Sequence, residues 1–396
     1  MKILVHDWSG HPFPVQLSRE LAKRGHEVLH VFAAFFQTPK GALTKRSDDP
    51  QRFSIQGVEL SEPYAKYSYL RRHQQDKKYG RILAKEIREL CPDVVISGNA
   101  SLDAQFPLQN ECRKLNIPFV FWVQDYYSVA IHKFVKTPFV GSIASWYYGK
   151  LEGKLLRKSD AVVLISEDFM EETDKWNVPQ HRTHVIPNWA PLDEMPVVPK
   201  KNQWAYKQGI DKTFNIIYSG TLGLKHNPQL LVNLAKHFQK YSHVRIVVIS
   251  EGLGADYLLD KKRKENLDNM ILLGFQAFEE LPNTLGTADI LVALLKKEAG
   301  HFSVPSKVLS YLCAGRALLL SVPSENLSSR IIKTNNAGVV LEPDDMQGFI
   351  DSAERMMNDT SLRETLANNA RIYAEQHFKI ETITNRFENI IHSIVK

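Results

Sequence analysis

Two short stretches of this sequence have the residue types and spacing to hold an anion. The first runs from Tyr218 to Lys225, where Gly220 and Gly223 follow an apolar run and Lys225 closes the segment. Small residues such as Ser219, Gly220 and Thr221 let successive amides face an anion, and Lys225 adds a full positive charge against a diphosphate. A lysine that is merely solvated is the competing reading. The second runs from Gly300 to Lys307. There Val304 and Pro305 precede a helix for which Ser303 and Ser306 are N-cap candidates. Lys307 then falls in the first helical turn, where a cation is unfavourable unless an anion is bound. A snorkelling surface lysine is the alternative.

Two further loops have glycines where backbone would approach a ligand. Asp7–Pro14 contains Gly10 but no G-x-G-x-x-G, so its dinucleotide signal is weak and a simple turn is equally open. Ser250–Gly254 places Glu251 and Gly252 directly after an apolar run.

Such loops bind ligands at the carboxyl ends of parallel strands, next to helix N-termini. The chain is patterned to put them there. Lys2–His6, Glu27–Phe32, Val94–Ser97, Phe119–Val123, Ala161–Ile165 and His184–Ile186 read as strands. Helical patterns at Pro14–Arg24, Asp76–Leu90 and Gln105–Leu115 alternate with them. Short apolar runs between amphipathic helices signal a parallel sheet covered on both faces. Ala190–Gln203, with Pro191, Pro196 and Pro199, reads as a linker. Beyond it the alternation restarts with strands at Phe214–Tyr218, Val244–Ile249, Met270–Leu273, Ile290–Leu295, Ala317–Ser321 and Gly338–Leu341. Helices are expected at Pro228–Phe238, Glu279–Leu285, Ser306–Ala314 and Leu327–Thr334, then from Met346 and from Ser361. The expected architecture is two tandem doubly wound Rossmann-like α/β domains, residues 1–195 and 204–379, facing a central cleft. A final helix within 380–396 is expected to cross back to the first.

A chain of 396 residues is long enough for two cores, and 43% hydrophobic with 24% charged residues is an ordinary globular balance. Cys91, Cys112 and Cys313 are scattered without metal-ligand spacing, which points to a reduced, cytoplasmic protein. No apolar run approaches a membrane span, and the apolar start of MKILVHDW is too short for a signal peptide. Residues 1–160 carry 24 Lys/Arg against 16 Asp/Glu, a balance of +8, which leaves 26 against 28 in the remainder. A basic first half suggests an anionic partner, either a phosphate-bearing substrate or an anionic membrane surface, with a solvated basic surface the plainer reading. Nucleic acid is not expected, since the excess is modest and no recognised module is present.

The order of motifs resembles the GT-B glycosyltransferases of family 4, the retaining group 1 transferases. The matching stretches are Leu21–Val28, Ala161–Ser166, Val185–Asn188, Tyr218–Gly223, Leu273–Phe275 with Leu281-Pro282, Ala288-Asp289, and Val304–Lys307 leading to Tyr311–Gly315. The likeness is nearest to enzymes of bacterial surface-polysaccharide assembly. It implies a nucleoside-diphosphate sugar donor, UDP favoured, with no metal or other cofactor. It also implies that Lys225 neutralises the diphosphate with help from Ser306, Lys307 and nearby amides, and that Glu251 and Gly252 lie beside base and ribose. The sequence departs from the family at its acidic pair, where Phe302 and Ser310 stand. Glu298 is a possible substitute for the first, and Ser310 retains a hydroxyl for the ribose. Thr221 replaces a common arginine, and Gln124-Asp125 replaces a His-Asp pair, leaving Asp125 as the first domain's candidate for assisting the acceptor. A buried or capping aspartate is the rival reading there.

Aromatic and basic residues interleave over Lys133–Lys158, with Phe134, Phe139, Val140, Ile143, Trp146, Tyr147 and Tyr148 among Lys136, Lys150, Lys154 and Arg157. Tyr69–Arg72 and Lys77-Lys78 extend the pattern. This suits an interfacial contact at the inner face of the membrane and an acceptor that is a saccharide or linked to polyprenyl diphosphate. A core-facing helix with a solvated basic side is the alternative. Overall the expectation is a retaining transferase for cell-surface polysaccharide synthesis. A sugar-nucleotide epimerase of the same fold and a non-catalytic sugar-nucleotide binder are the rivals.

Overall fold

The computed structural model describes residues 1–36, 40–65, 68–134, 138–223, 226–299 and 306–395, without the side chains of 130, 132–134, 138–140 and 299. Lys225, Phe302, Val304 and Pro305 lie outside the described residues. The chain divides into two compact units, Met1–Asn188 with Ile380–Lys396, and Trp189–Lys379.

The first unit begins with β1 (Lys2–Asp7), α1 (Pro12–Lys23), β2 (Glu27–Ala33) and β3 (Phe53–Val58). It continues through α2 (Tyr69–Leu90), β4 (Val94–Gly98), α3 (Leu102–Lys114), β5 (Phe119–Val123) and α4 (Tyr127–Phe134). The series ends with α5 (Pro138–Lys158), β6 (Ala161–Leu164), α6 (Met170–Lys175) and β7 (Thr183–Val185). Its strands pair in parallel in the order β3-β2-β1-β4-β5-β6-β7. Every residue of β4, β5 and β6 is buried, as expected of strands covered on both faces.

The second unit runs α7 (Gln203–Gln208), β8 (Phe214–Ser219), α8 (Gln229–Phe238), β9 (Val244–Ile249) and α9 (Leu253–Glu265). Then come β10 (Met270–Leu273), α10 (Leu281–Gly286), β11 (Ile290–Leu294), α11 (Ser306–Ala314) and β12 (Ala317–Ser321). It finishes with α12 (Leu327–Thr334), β13 (Gly338–Leu341), α13 (Met346–Asn358) and α14 (Thr360–His377). This parallel sheet has the order β10-β9-β8-β11-β12-β13.

The returning helix α15 (Ile380–Ile394) is part of the first unit. Phe387 packs on Trp122 with ring centroids 4.9 Å apart, and Arg24 donates to Glu388 at 2.5 Å.

Three details differ from expectation. The proline-rich segment after Asn188 is fixed on the second unit: Met195 is fully buried, and its carbonyl accepts from Arg371 Nη1 at 2.8 Å. Arg316 likewise donates to the Val198 carbonyl at 2.7 Å. The elements β3, α4, α6, α7 and α9 were not anticipated; the first is a partly exposed edge strand and the last a charge-rich helix. Finally, α2 starts at Tyr69 instead of Asp76, which brings Arg71 and Arg72 into its first turn.

Candidate active site

Each sheet has one place where the strand order reverses, between β1 and β4 in the first unit and between β8 and β11 in the second. Loops leaving such a pair diverge and open a binding site at the strands' carboxyl ends.

In the second unit the loop after β8 is held by side chains beneath it that grip its main chain. The buried Tyr311 hydroxyl accepts from Ser219 N at 2.9 Å and donates to Ser219 O at 3.0 Å. Tyr218 donates to the Thr221 carbonyl at 2.8 Å. Leu222 N donates to Ser250 Oγ at 3.2 Å, and Gly223 N to His226 Nδ1 at 2.9 Å. Gly220 has φ +133°, a region that side-chain-bearing residues rarely adopt, and a Cβ there would press on Lys307 Cε.

Lys307 stands in the first turn of α11, a turn without acidic residues. Its ammonium donates to the Tyr218 hydroxyl and, at 3.4 Å, to the Thr221 carbonyl, and lies 4.1 Å from the centre of the Tyr218 ring. Burial, and then the neighbouring Tyr311, push the Tyr218 phenol well above its usual range, so it stays neutral and accepts from Lys307. The geometry brings Ser219, Gly220, Thr221 and Lys307 together. Ser306 is exposed at the start of the same helix, with Ser310 one turn on and half-buried.

Glu251 is exposed, and its Oε1 accepts from Phe275 N at 3.0 Å, tying the loop after β9 to the one after β10. Gly252 follows with φ +87° as the residue before α9. Glu298 is exposed in the short turn Lys297–Ala299 after β11.

In the first unit the corresponding loops line a cavity of about 190 Å³. Trp8, Ser9 and His11 come from the loop after β1, Asn99 and Ala100 from the one after β4, and Gln124, Asp125 and Tyr127 from the one after β5. Arg72 of α2 completes the charged lining. Below it, buried Asp7 accepts from Asn99 Nδ2 at 2.7 Å and from His11 N at 2.5 Å, which fixes both loops to one anchor. Burial raises the Asp7 pKa, while His11 and the Asn99 hydrogen bond oppose the rise.

Deeper still, His6 meets Ser97 Oγ at 2.7 Å and the Tyr79 hydroxyl at 3.1 Å, and Ser97 donates to Gln105 at 2.7 Å. Burial lowers the His6 pKa to about 3, so this network is neutral and locks α2 and α3 onto β1 and β4.

Gly10 was expected to admit a ligand. It is buried with φ +71°, and the place of its Cβ is filled by Leu43, so its glycine has a packing reason while Ser9 and His11 face the cavity. Asp125 is exposed at the cavity wall. Of the lining residues only Asp125 was singled out from sequence as a site residue; Asn99, Arg72 and Gln124 are the polar groups that matter most among the rest. Asn99 carries φ +56°, and Arg72 had been assigned to the surface. Gln124 is paired amide to amide with Asn188, at 3.2 Å and 2.5 Å. An Asn directly after an apolar strand, a residue type enriched at positive φ, was the available signal for Asn99; the sequence offered none for Arg72.

Tyr148 turns inward to donate to Asp103 at 2.6 Å, Lys154 packs over Phe106, and Arg157 donates to the Trp176 carbonyl at 3.3 Å. Ile143, Trp146 and Tyr147 are exposed, as are Tyr69 and Leu70. The other aromatic and basic positions of that pattern up to Val140 have side chains outside the described set.

Residues 14–194 match the model for Glycosyltransferase Family 4, and residues 200–373 match the model for Glycosyl transferases group 1. The chain belongs to these family 4, group 1 glycosyltransferases. It is 22% identical to WcaI of Escherichia coli, named for colanic acid biosynthesis and glycosyl transfer, over 60% of this chain and 58% of that protein. It is 20% identical to the alpha-D-kanosaminyltransferase of Streptomyces kanamyceticus over 64% of each. The match thus spans less than two thirds of these relatives' lengths. Among solved structures, HepE of Anabaena in complex with UDP-glucose superposes with a TM-score of 0.73 at 16% identity, covering 99% of this chain and 100% of its own. Sucrose-phosphate synthase from Thermosynechococcus elongatus gives 0.77 at 13%, covering 100% and 99%. These likenesses establish the GT-B fold for this glycosyltransferase.

No helix among the described residues is long and apolar enough to cross a membrane. Among those residues no group of three His, Cys, Asp or Glu side chains is placed to share a metal ion.

Proposed function

We propose that this glycosyltransferase takes a nucleoside-diphosphate sugar, with UDP as the favoured nucleotide, at the carboxyl ends of β8, β9 and β11. It passes the sugar, with retention at the anomeric carbon, to a saccharide or polyprenyl-diphosphate-linked acceptor of cell-surface polysaccharide synthesis. The observation that carries the reading is Lys307, a cation in an acid-free first turn set against the positive-φ Gly220 loop. Dipole and ammonium together suit a diphosphate. The name of WcaI and the UDP-glucose held by HepE support the choice of pathway and nucleotide.

The bond between the anomeric carbon and the β-phosphate oxygen breaks, and the departing diphosphate keeps the electron pair. The acceptor hydroxyl attacks on the face the diphosphate leaves, and its proton passes to a departing phosphate oxygen. Lys307, with Lys225, Ser306 and the Thr221 amide, stabilises the growing charge, the term that most often dominates such catalysis. Glu251, Gly252 and Ser310 hold base and ribose, Glu298 approaches the sugar, and Asp125 orients the acceptor from the first unit. No step is routed through a metal or other cofactor.

Incubation with radiolabelled UDP-glucose, UDP-galactose and UDP-N-acetylglucosamine tests this. Slow release of UDP and free sugar is expected without acceptor; an isomerised sugar identifies an epimerase, and an unchanged donor a binding protein.

For the acceptor's location we propose peripheral contact with the inner face of the membrane through α5 and the start of α2. Ile143 and Trp146 are 67% and 66% exposed, Tyr69 and Leu70 79% and 81%, and the Tyr147 ring lies 6.4 Å from that of His73, which joins the two helices. Co-sedimentation with anionic vesicles at low and high salt is the test; absence of binding at low salt removes the proposal.

A further inference from the structure

We infer that the acceptor carries an anionic group on its sugar, a phosphate or a carboxylate, and that Arg72 selects it. The inference rests on the reading above that the first unit takes the acceptor.

The cavity has an uneven wall. The half-buried Phe36, backed by the buried Trp8, offers aromatic surface to a pyranose ring, and Ser9, Asn99 and Gln124 offer hydroxyl and amide groups to its hydroxyls. Its fixed charges are Arg72 from α2 and Asp125 from the end of β5. An anion sits favourably beside the first and unfavourably beside the second. A bound sugar is therefore oriented with its anionic substituent toward α2 and a hydroxyl toward Asp125, as transfer requires.

Arg72 is suited to an incoming anion. Its side chain is 34% exposed, and its ion pair with Asp76, from Nε to Oδ2, is 3.6 Å long, beyond hydrogen-bonding range. Asp76 meanwhile accepts from the Tyr64 hydroxyl at 2.8 Å. Burial works against the guanidinium's charge, but Tyr127, Tyr64 and Asp76 outweigh it and raise its pKa further. The group thus stays charged, with Tyr64 and Tyr127 against it and fork donors able to take two oxygens of a carboxylate or phosphate. Arg71 and Arg72 share the first turn of α2, which contains no acid, so the helix dipole adds to the positive potential there.

Binding is read by titration calorimetry with UDP saturating throughout, so that phosphate probes do not report on the second unit. The probes are glucose 1-phosphate, glucuronic acid and a short-chain prenyl-diphosphoryl glucose, with methyl glucoside as the neutral control. At least one anionic probe should bind on the order of 10- to 100-fold tighter than methyl glucoside. The preference should vanish in Arg72→Gln, fall partway in Arg72→Lys, and persist in Arg71→Gln, whose side chain is exposed. Which probe gains most identifies the source as a uronic acid, a sugar phosphate or a lipid diphosphate.

Should Arg72→Gln fail to fold with Asp76 uncompensated, Arg72→Gln/Asp76→Asn replaces it. Equal binding of all probes, or a preference that survives loss of Arg72, overturns the inference. A thermal shift with UDP on the same samples keeps the two readings apart. Intact UDP binding without anion preference defeats only the Arg72 assignment, whereas no response to UDP defeats the transferase reading.

Discussion

The loop after β8 in the second unit is shaped through its own main chain: Tyr311 grips both polar groups of Ser219, Tyr218 and Lys307 take the Thr221 carbonyl, and Gly220 sits where side chains rarely can. The loops after β1, β4 and β5 in the first unit are shaped through side chains, with Asp7 joining two loops and the Gln124–Asn188 pair bracing the third. The same topology thus serves two kinds of ligand. A backbone-built loop fits a group whose charge is constant from one donor to the next. A side-chain-built cavity varies readily with the acceptor.

Four substitutions break or sharpen that contrast. Lys307→Ala should have the largest effect, lowering turnover about 10²–10³-fold with folding intact, because charge stabilisation of the leaving group is lost. Near-normal turnover in this variant would place the phosphate site elsewhere. Gly220→Ala should raise KM for the UDP-sugar by about 10- to 100-fold, since strain of about 1–3 kcal/mol enters the loop and the new Cβ meets Lys307. Unchanged donor affinity would show that the loop's backbone does not shape the site. Asn188→Ala, which removes both bonds to the Gln124 amide, should weaken acceptor binding by about 5- to 10-fold and leave UDP affinity alone; a matching loss of UDP affinity would erase the distinction between the units.

Glu152→Gln should change activity least and instead alter the response to pH. This carboxyl accepts from Tyr127 N at 2.8 Å and Ser128 N at 3.3 Å beside the cavity, and burial raises its pKa to about 7. The group is protonated in both states below its unfolded value near 4.5, so its stabilising contribution is complete there and is lost as pH rises through about 7. The loss is on the order of 1–3 kcal/mol. The wild type should therefore lose Tm between pH 5 and pH 8, and Glu152→Gln should flatten that slope; an unchanged slope excludes Glu152 as its source.

The sheets were readable in sequence because strands buried on both faces appear as apolar runs; Phe119–Val123 and Ala317–Ser321 have the bounds expected of them. Lys307 was readable because a cation in an opening turn conflicts with the dipole. Arg72 was not, because Ser68 makes no side-chain cap bond and the first turn holds no acid, so nothing local announces a helix at Tyr69. Gly10 needs Leu43, and Gln124 needs Asn188; neither partner lies close enough in sequence to suggest itself. Glu152 lies between Lys150 and Lys154 and reads in sequence as one more charge on α5, and only the packing of α4 against α5 makes it a buried cap.

The place of α15 bears on how the molecule comes into being. Residues 189–379 form an insertion within the first unit, whose sheet waits for Phe387 to cover Trp122 and for Glu388 to meet Arg24. During translation the second unit emerges whole while the first still lacks a wall, so the later-made half is free to fold before the earlier one closes. Until α15 leaves the ribosome, the apolar surface around Trp122 stays open to water and to chaperones.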